Sequence, residues 1–222
     1  MSHFETLMAR DGHAFQAYIA NPAGHVRGAA VIIQEIFGLT PHILATADSY
    51  AAEGYLAVAP ALFDRVRRGL VLGSSPEEVE RARGYRKQIP TAKALLDIAA
   101  SVAVARHCGK VGVIGYCWGG TLAWLAAADI PLDAAVSYYG AGIPEHLDRT
   151  PACAMMLHFG ERDASIPLTA VEHIRAAFPK GLYYLYAAGH GFNNDARAQH
   201  YDAAAAALAR SRTVEFLARH IG

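Results

Sequence analysis

Residues 111–128 constrain this chain more than any other stretch. Val111-Gly112-Val113-Ile114 is a short apolar run that reads as a buried strand, and Thr121-Leu122-Ala123-Trp124-Leu125-Ala126-Ala127-Ala128 reads as a helix. Only Gly115-Tyr116-Cys117-Trp118-Gly119-Gly120 lies between them. Strand, tight turn and helix, with glycines two before and two after a central nucleophile, is the nucleophile-elbow pattern G-x-S-x-G with cysteine in the serine position. Glycine is favoured at the flanks because Cβ atoms would collide in so sharp a turn. The turn sets a sulfur over the N-terminus of a helix, where N–H groups and the helix dipole favour negative charge. Taken alone, the same six residues also fit a buried structural cysteine.

The rest of the chain supplies matching layers. Residues 4–20 read as a hairpin that turns at Asp11-Gly12. Further short apolar runs at 28–33, 55–59, 133–139, 153–159 and 182–186 read as strands. Helices are predicted at 41–53, 77–88, 91–106, 168–178 and 198–220, with 61–76 irregular. Strands that alternate with helices predict an α/β fold: a mostly parallel sheet covered on both faces, preceded by the antiparallel hairpin. A length of 222 residues suits a single domain, residues 1–222, with a sizeable core.

Composition narrows the partners. Lys+Arg 20 balance Asp+Glu 20, so no net field draws nucleic acid or an anionic membrane. No apolar stretch reaches membrane length, and residues 1–6 lack the basic-then-apolar order of a leader. The three cysteines, Cys108, Cys117 and Cys153, form no C-x-x-C, and the 11 histidines lack metal-ligand spacing. The expectation is a cytoplasmic protein with free thiols, no metal and no cofactor. It would act on a small molecule as a monomer or small homo-oligomer.

In open parallel sheets, function gathers beyond the carboxyl ends of the strands. Four polar residues fall there: Glu35, Cys117, Asp163 and His190. A cysteine nucleophile needs a base, and the base needs an orienting group. Cys117, Asp163 and His190 stand in the chain order nucleophile, acid, histidine that α/β-hydrolases use. An oxyanion hole in such a fold takes the N–H after the nucleophile and one from an early strand-to-helix loop, here Trp118 and Ile36. A carboxylate beside a thiolate is unfavourable, so Glu35 and Cys117 would share one proton until substrate separates them.

Gln34-Glu35-Ile36-Phe37-Gly38, Gly115-Tyr116-Cys117-Trp118-Gly119-Gly120, Gly160-Glu161-Arg162-Asp163 and Gly189-His190-Gly191-Phe192 together resemble the dienelactone hydrolases, or carboxymethylenebutenolidases. The likeness runs in order from the hairpin to the last helix. It implies a single α/β-hydrolase domain and a Cys117-Asp163-His190 triad. It also implies that Glu35 pairs with the resting thiol and helps form the thiolate. Family members open an enol lactone and release a dicarboxylate, and the best-known ones hold the substrate carboxylate with two arginines. Arg81, in Arg81-Ala82-Arg83-Gly84-Tyr85, matches the first. The second falls on Asn194, which leaves Arg197 as a neighbouring cation and the exact lactone open.

Other residues take more ordinary expectations. Phe37 and Trp118 are placed as apolar walls of the pocket, and Tyr138, at a strand end with Tyr139, as a substrate contact. His158 is expected to be a satisfied core histidine, Cys108 and Cys153 inert core thiols, and Arg65, Arg67 and Arg68 a solvated loop face. The function expected is hydrolysis of an enol lactone or related ester through an acyl thioester. The alternatives are a broader small-ester esterase on the same site and a redox-sensing thiol protein. A sensor needs neither Asp163 nor His190. A cysteine peptidase is disfavoured by the chain order.

Overall fold

A computed structural model describes residues 1–222. The chain divides into two compact units, Met1–Val111 with Ile221 and Gly112–His220 with Gly222. In the first, β1 (Ser2–Met8) and β2 (Ala14–Ala20) form the expected hairpin. β2 continues antiparallel onto β4 (Tyr55–Pro60), and β3 (Gly28–Ile33) runs parallel to β4. β3 and β4 are buried along their whole length, as strands covered on both faces must be. Helix α1 (Pro41–Ala52) packs on β2 and β4, with Thr40 capping its start through the Ile43 N–H. Helix α2 (Pro76–Lys87) starts at a Ser75 cap, and Pro90 separates it from α3 (Thr91–Ala105), which packs on β3 and β4.

Two expectations fail in this unit. Residues 61–76 are not wholly irregular, because Leu62–Arg65 makes a 3-10 turn. Arg65 is not solvated. Its side chain is 10% exposed and forks onto the fully buried carboxylate of Asp97 at 2.6 and 2.8 Å, with Asp11 on the other side at 3.0 Å. Burial pushes the Asp97 carboxyl up to about 6, against the pull of Arg65. The fork leaves neither buried charge unmatched, and breaking such a pair typically costs about 3–5 kcal/mol.

The second unit is a parallel sheet in the order β5 (Val111–Tyr116), β6 (Ala134–Tyr138), β7 (Ala154–Gly160), β8 (Leu182–Tyr186). The connections run through α4 (Trp118–Asp129), a 3-10 turn at Ile143–His146 and α5 (Leu168–Ala177). Adjacent residues of β6 show where the helices lie. A Cβ on Gly120 of α4 would stand 2.8 Å from Ser137 Oγ, while the next residue, Tyr138, bonds Thr213 of α6 (Ala203–His220). Side chains alternate across a strand, so α4 and α6 cover opposite faces. Helix α6 starts five residues later than the alanine pattern predicts. Asp202 stops it there, its carboxylate accepting the Ala205 N–H at 3.0 Å as an N-cap. No single helix of the chain is long and apolar enough to cross a membrane.

Candidate active site

The elbow forms as the sequence predicts. β5 ends at Tyr116 and α4 opens at Trp118, with Cys117 alone between them at φ 55°, ψ −114°. A non-glycine residue in that conformation costs on the order of 1–3 kcal/mol and persists only where its surroundings over-determine it. Here they do. The Cys117 N–H is bonded to the Tyr138 carbonyl at 2.9 Å, and its own carbonyl accepts Gly120 and Thr121. A Cβ at Gly115 would stand 1.8 Å from the Gly119 carbonyl oxygen, so the closeness of strand and helix requires glycine there.

Two more loops of the same unit bring their side chains to the sulfur. After β7, the Asp163 carboxylate is buried and fixed by the Ser165 N–H at 2.8 Å. In the same loop after β7, the Glu161 and Arg162 N–H groups bond the carbonyls of Tyr186, which ends β8, and Ala188 just beyond it, and the Arg162 guanidinium bonds the Ala187 carbonyl. These bonds tie the two loops side by side. His190 Nδ1 then lies 2.7 Å from Asp163 Oδ2, and its Nε2 lies 3.2 Å from Cys117 Sγ. Three residues far apart in sequence form one hydrogen-bonded line.

The electrostatics follow from the partners. Burial by itself pushes the His190 ring down, but the hydrogen bonds to Asp163 and Cys117 and the charge of the Asp163 carboxylate outweigh it and lift the ring to about 10. At neutral pH the ring holds its proton between the sulfur and the carboxylate. The ring of Tyr139 meets it edge-on at 5.2 Å. Tyr139 directly follows β6 and also has positive φ, 40°.

The expected substrate contact at Tyr138 is corrected. Tyr138 is fully buried and turns with its register partners Tyr116 and His158 toward α6, where its hydroxyl meets Thr213 Oγ1 at 2.6 Å. Strand alternation sends it to the helix side, and the chain turn that follows sends Tyr139 to His190. The tyrosine pair points to the right strand end, and only the parity of that alternation separates the two residues.

Other predicted residues are placed as follows. Trp118 opens α4 and is buried. Asn194, also buried, uses its side-chain oxygen to accept the Ala196 N–H at 3.1 Å, so it shapes its own loop. Arg197 Nη1 lies 3.4 Å from where a Cβ on Gly191 would stand, beside the residue that follows His190. In the first unit, Glu35 is buried in the loop after β3, where its carbonyl accepts the Gln34 amide. Ile36 is half-buried and Phe37 is buried, with the Phe37 carbonyl accepting the Leu72 N–H. Arg81 is exposed on α2, and hydrogen bonds from Arg67 and Arg81 lower the Tyr85 hydroxyl below its usual range. Cys108 and Cys153 are half-buried rather than core residues, and burial pushes the Cys153 thiol up to about 11. No group of three His, Cys, Asp or Glu side chains is arranged to hold a metal ion.

Comparison with known proteins gives a consistent picture. The model of the Dienelactone hydrolase family matches residues 15–221. Carboxymethylenebutenolidase of Pseudomonas putida is 34% identical over 225 residues, covering 96% of this chain and 94% of that one. Carboxymethylenebutenolidase 1 of Cupriavidus pinatubonensis is 31% identical with the same coverage. Among solved structures, a candidate dienelactone hydrolase from Klebsiella pneumoniae subsp. pneumoniae superposes with a TM-score of 0.84 at 29% identity, covering 99% of both chains.

Proposed function

We propose that this chain, which belongs to the dienelactone hydrolase family, hydrolyses enol lactones and related enol esters through an acyl thioester on Cys117. The family makes it a carboxylic ester hydrolase with the α/β-hydrolase fold. A family match that runs through both units supports treating residues 1–222 as one hydrolase domain. One observation carries the finer reading: His190 lies between Cys117 Sγ at 3.2 Å and Asp163 at 2.7 Å. In this reading Glu35 takes the thiol proton as substrate binds, the Cys117 thiolate attacks the carbonyl carbon, and the oxyanion is met by the N–H groups of Trp118 and Ile36; Glu35 returns the proton to the sulfur at the end of the cycle. The C–O bond breaks, and His190 Nε2 gives its proton to the leaving enolate. Water, deprotonated by the same nitrogen, then cleaves the thioester. Asp163 holds Nδ1–H throughout, fixing the tautomer. Glu35 would share the thiol proton at rest, and Phe37 would wall the pocket.

Leaving-group chemistry selects the ester. A thiolate leaves readily, so its adduct with an ordinary alkyl ester tends to collapse back to reactants. An enolate is a better leaving group than an alkoxide, which lets the adduct go forward. For a substrate carboxylate we assign Arg81 and Arg197, since the side chain of Asn194 is engaged within its own loop.

The test is a panel of enol lactones with and without a carboxylate, together with alkyl esters. It is run on wild type, Cys117→Ala, Glu35→Gln, Arg81→Gln and Arg197→Gln. Enol substrates should turn over fastest, and Cys117→Ala should abolish turnover. Glu35→Gln should slow it by about tenfold, or 1.4 kcal/mol of barrier. The arginine variants should lose about tenfold in kcat/KM on carboxylated lactones only. Faster turnover of alkyl esters, or residual activity in Cys117→Ala, would sink the mechanism. An equal loss on charged and uncharged lactones would sink the arginine assignment.

A further inference from the structure

His158 lies within β7 with no exposure, and both ring nitrogens are engaged. Nδ1 is 2.8 Å from the Tyr186 hydroxyl and Nε2 is 3.0 Å from Thr213 Oγ1, which in turn is 2.6 Å from the Tyr138 hydroxyl. Burial, aided by the nearby charge of Arg212, pushes the ring down to about 3, so it is neutral at working pH. A neutral imidazole donates at one nitrogen and accepts at the other. The Arg212 guanidinium lies 5.4 Å from the centre of the Tyr186 ring, and an arrangement in which the Tyr186 hydroxyl donates to Nδ1 satisfies both ring nitrogens. The ring then carries its own proton on Nε2 and donates to Thr213. In that arrangement the donors run from Tyr186 to His158 to Thr213, and Thr213 shares a further hydrogen bond with Tyr138.

This chain of groups does not include the triad, but packed contacts lead from it to His190 and a backbone hydrogen bond leads from it to Cys117. The Tyr186 ring packs on Phe192 at 5.1 Å. Phe192 meets Tyr139 at 5.3 Å, and Tyr139 meets His190 at 5.2 Å. The His158 carbonyl accepts the Tyr139 N–H at 2.8 Å, and the Tyr138 carbonyl accepts the Cys117 N–H at 2.9 Å. Aliphatic side chains would fill the same volume with no polar group left to satisfy. What the polar chain adds is direction, since each member is fixed in rotation as well as in place.

We propose that His158 is a positioning residue for the reacting pair, acting through Tyr186, Phe192 and Tyr139 to hold the His190 ring in line with Cys117 Sγ. The inference rests on reading Cys117 and His190 as that pair.

Tyr186→Phe is the informative variant, because it keeps the ring on Phe192 and removes only the hydroxyl on Nδ1. Two readouts are taken: enol-ester kinetics, and the pH dependence of iodoacetamide alkylation on the peptide that carries Cys117. The second needs no substrate. Tyr186→Phe should lower kcat about tenfold with KM within about twofold, and should shift the alkylation profile to higher pH. Thr213→Val should act in the same direction, and Thr213→Ser should restore wild-type behaviour. The inference is overturned if the alkylation profiles of Tyr186→Phe and Thr213→Val match wild type, even where melting temperatures fall. If wild type turns over no enol ester but the alkylation shift is seen, the positioning role stands and the proposed reaction fails.

Discussion

His158 and His190 belong to the same compact unit, one inside β7 and one just past β8, and they are held in opposite charge states. Burial pushes both rings toward neutrality. His158 meets only the hydroxyls of Tyr186 and Thr213, with the cation Arg212 nearby, so nothing opposes burial. His190 meets a carboxylate and a sulfur, and these two reverse it. The difference shows that the partners' charge, rather than depth, decides whether a buried histidine is neutral or charged.

The largest way to break the contrast is Asp163→Asn. An amide keeps the shape but cannot hold the ring charged or fix its tautomer. An enol-ester assay should show kcat lower by about 10⁴-fold, as for loss of the acid in a comparable triad, with KM little changed. A loss of less than about tenfold would mean that His190 does not depend on Asp163.

A smaller effect is expected in the pH dependence of thermal stability, where the two rings have opposite signs. For His190 the folded value of about 10 exceeds the ordinary 6.5. Its contribution is therefore full below pH 6.5 and is lost as pH rises toward 10. For His158 the folded value of about 3 lies below 6.5, so its contribution is full above pH 6.5 and is lost as pH falls toward 3. Melting temperatures should fall on both sides, by about 2–4 °C for each kcal/mol in a chain of this size. Asp163→Asn should flatten the alkaline arm, and His158→Gln the acid arm. Arms that stay unchanged in these variants would show that other groups set them.

The elbow and the line from Cys117 through His190 to Asp163 were legible in the sequence for a simple reason. Each residue lies at or within a few residues of the end of a short apolar strand, and a parallel sheet gathers such positions at one edge. The boundaries of α1 and α3 were legible because Thr40, Pro41 and Pro90 mark them locally. The unread features depend on distant partners or on parity. The salt bridges of Arg65 need Asp97 and Asp11, 32 and 54 residues away, and no local pattern announces them. Tyr138 and Tyr139 look alike in sequence, and one step of strand alternation sends one to α6 and the other to His190. The late start of α6 was readable in principle, since Asp202 is a capping residue, but the alanine run masks it. The contrast between His158 and His190 was only half visible. A histidine inside an apolar strand suggests burial, but its hydroxyl partners lie on another strand and another helix.

In the proposed reaction the sulfur of Cys117 carries the acyl group. This is tested most directly by mixing wild-type protein with an excess of an enol acetate, quenching in acid during the first turnover, and mapping the added acetyl group by peptide mass. One acetyl group should appear on the peptide that carries Cys117, removed by hydroxylamine as a thioester is. Turnover with that peptide unmodified, or with the acetyl group on any other residue, would contradict the proposed reaction.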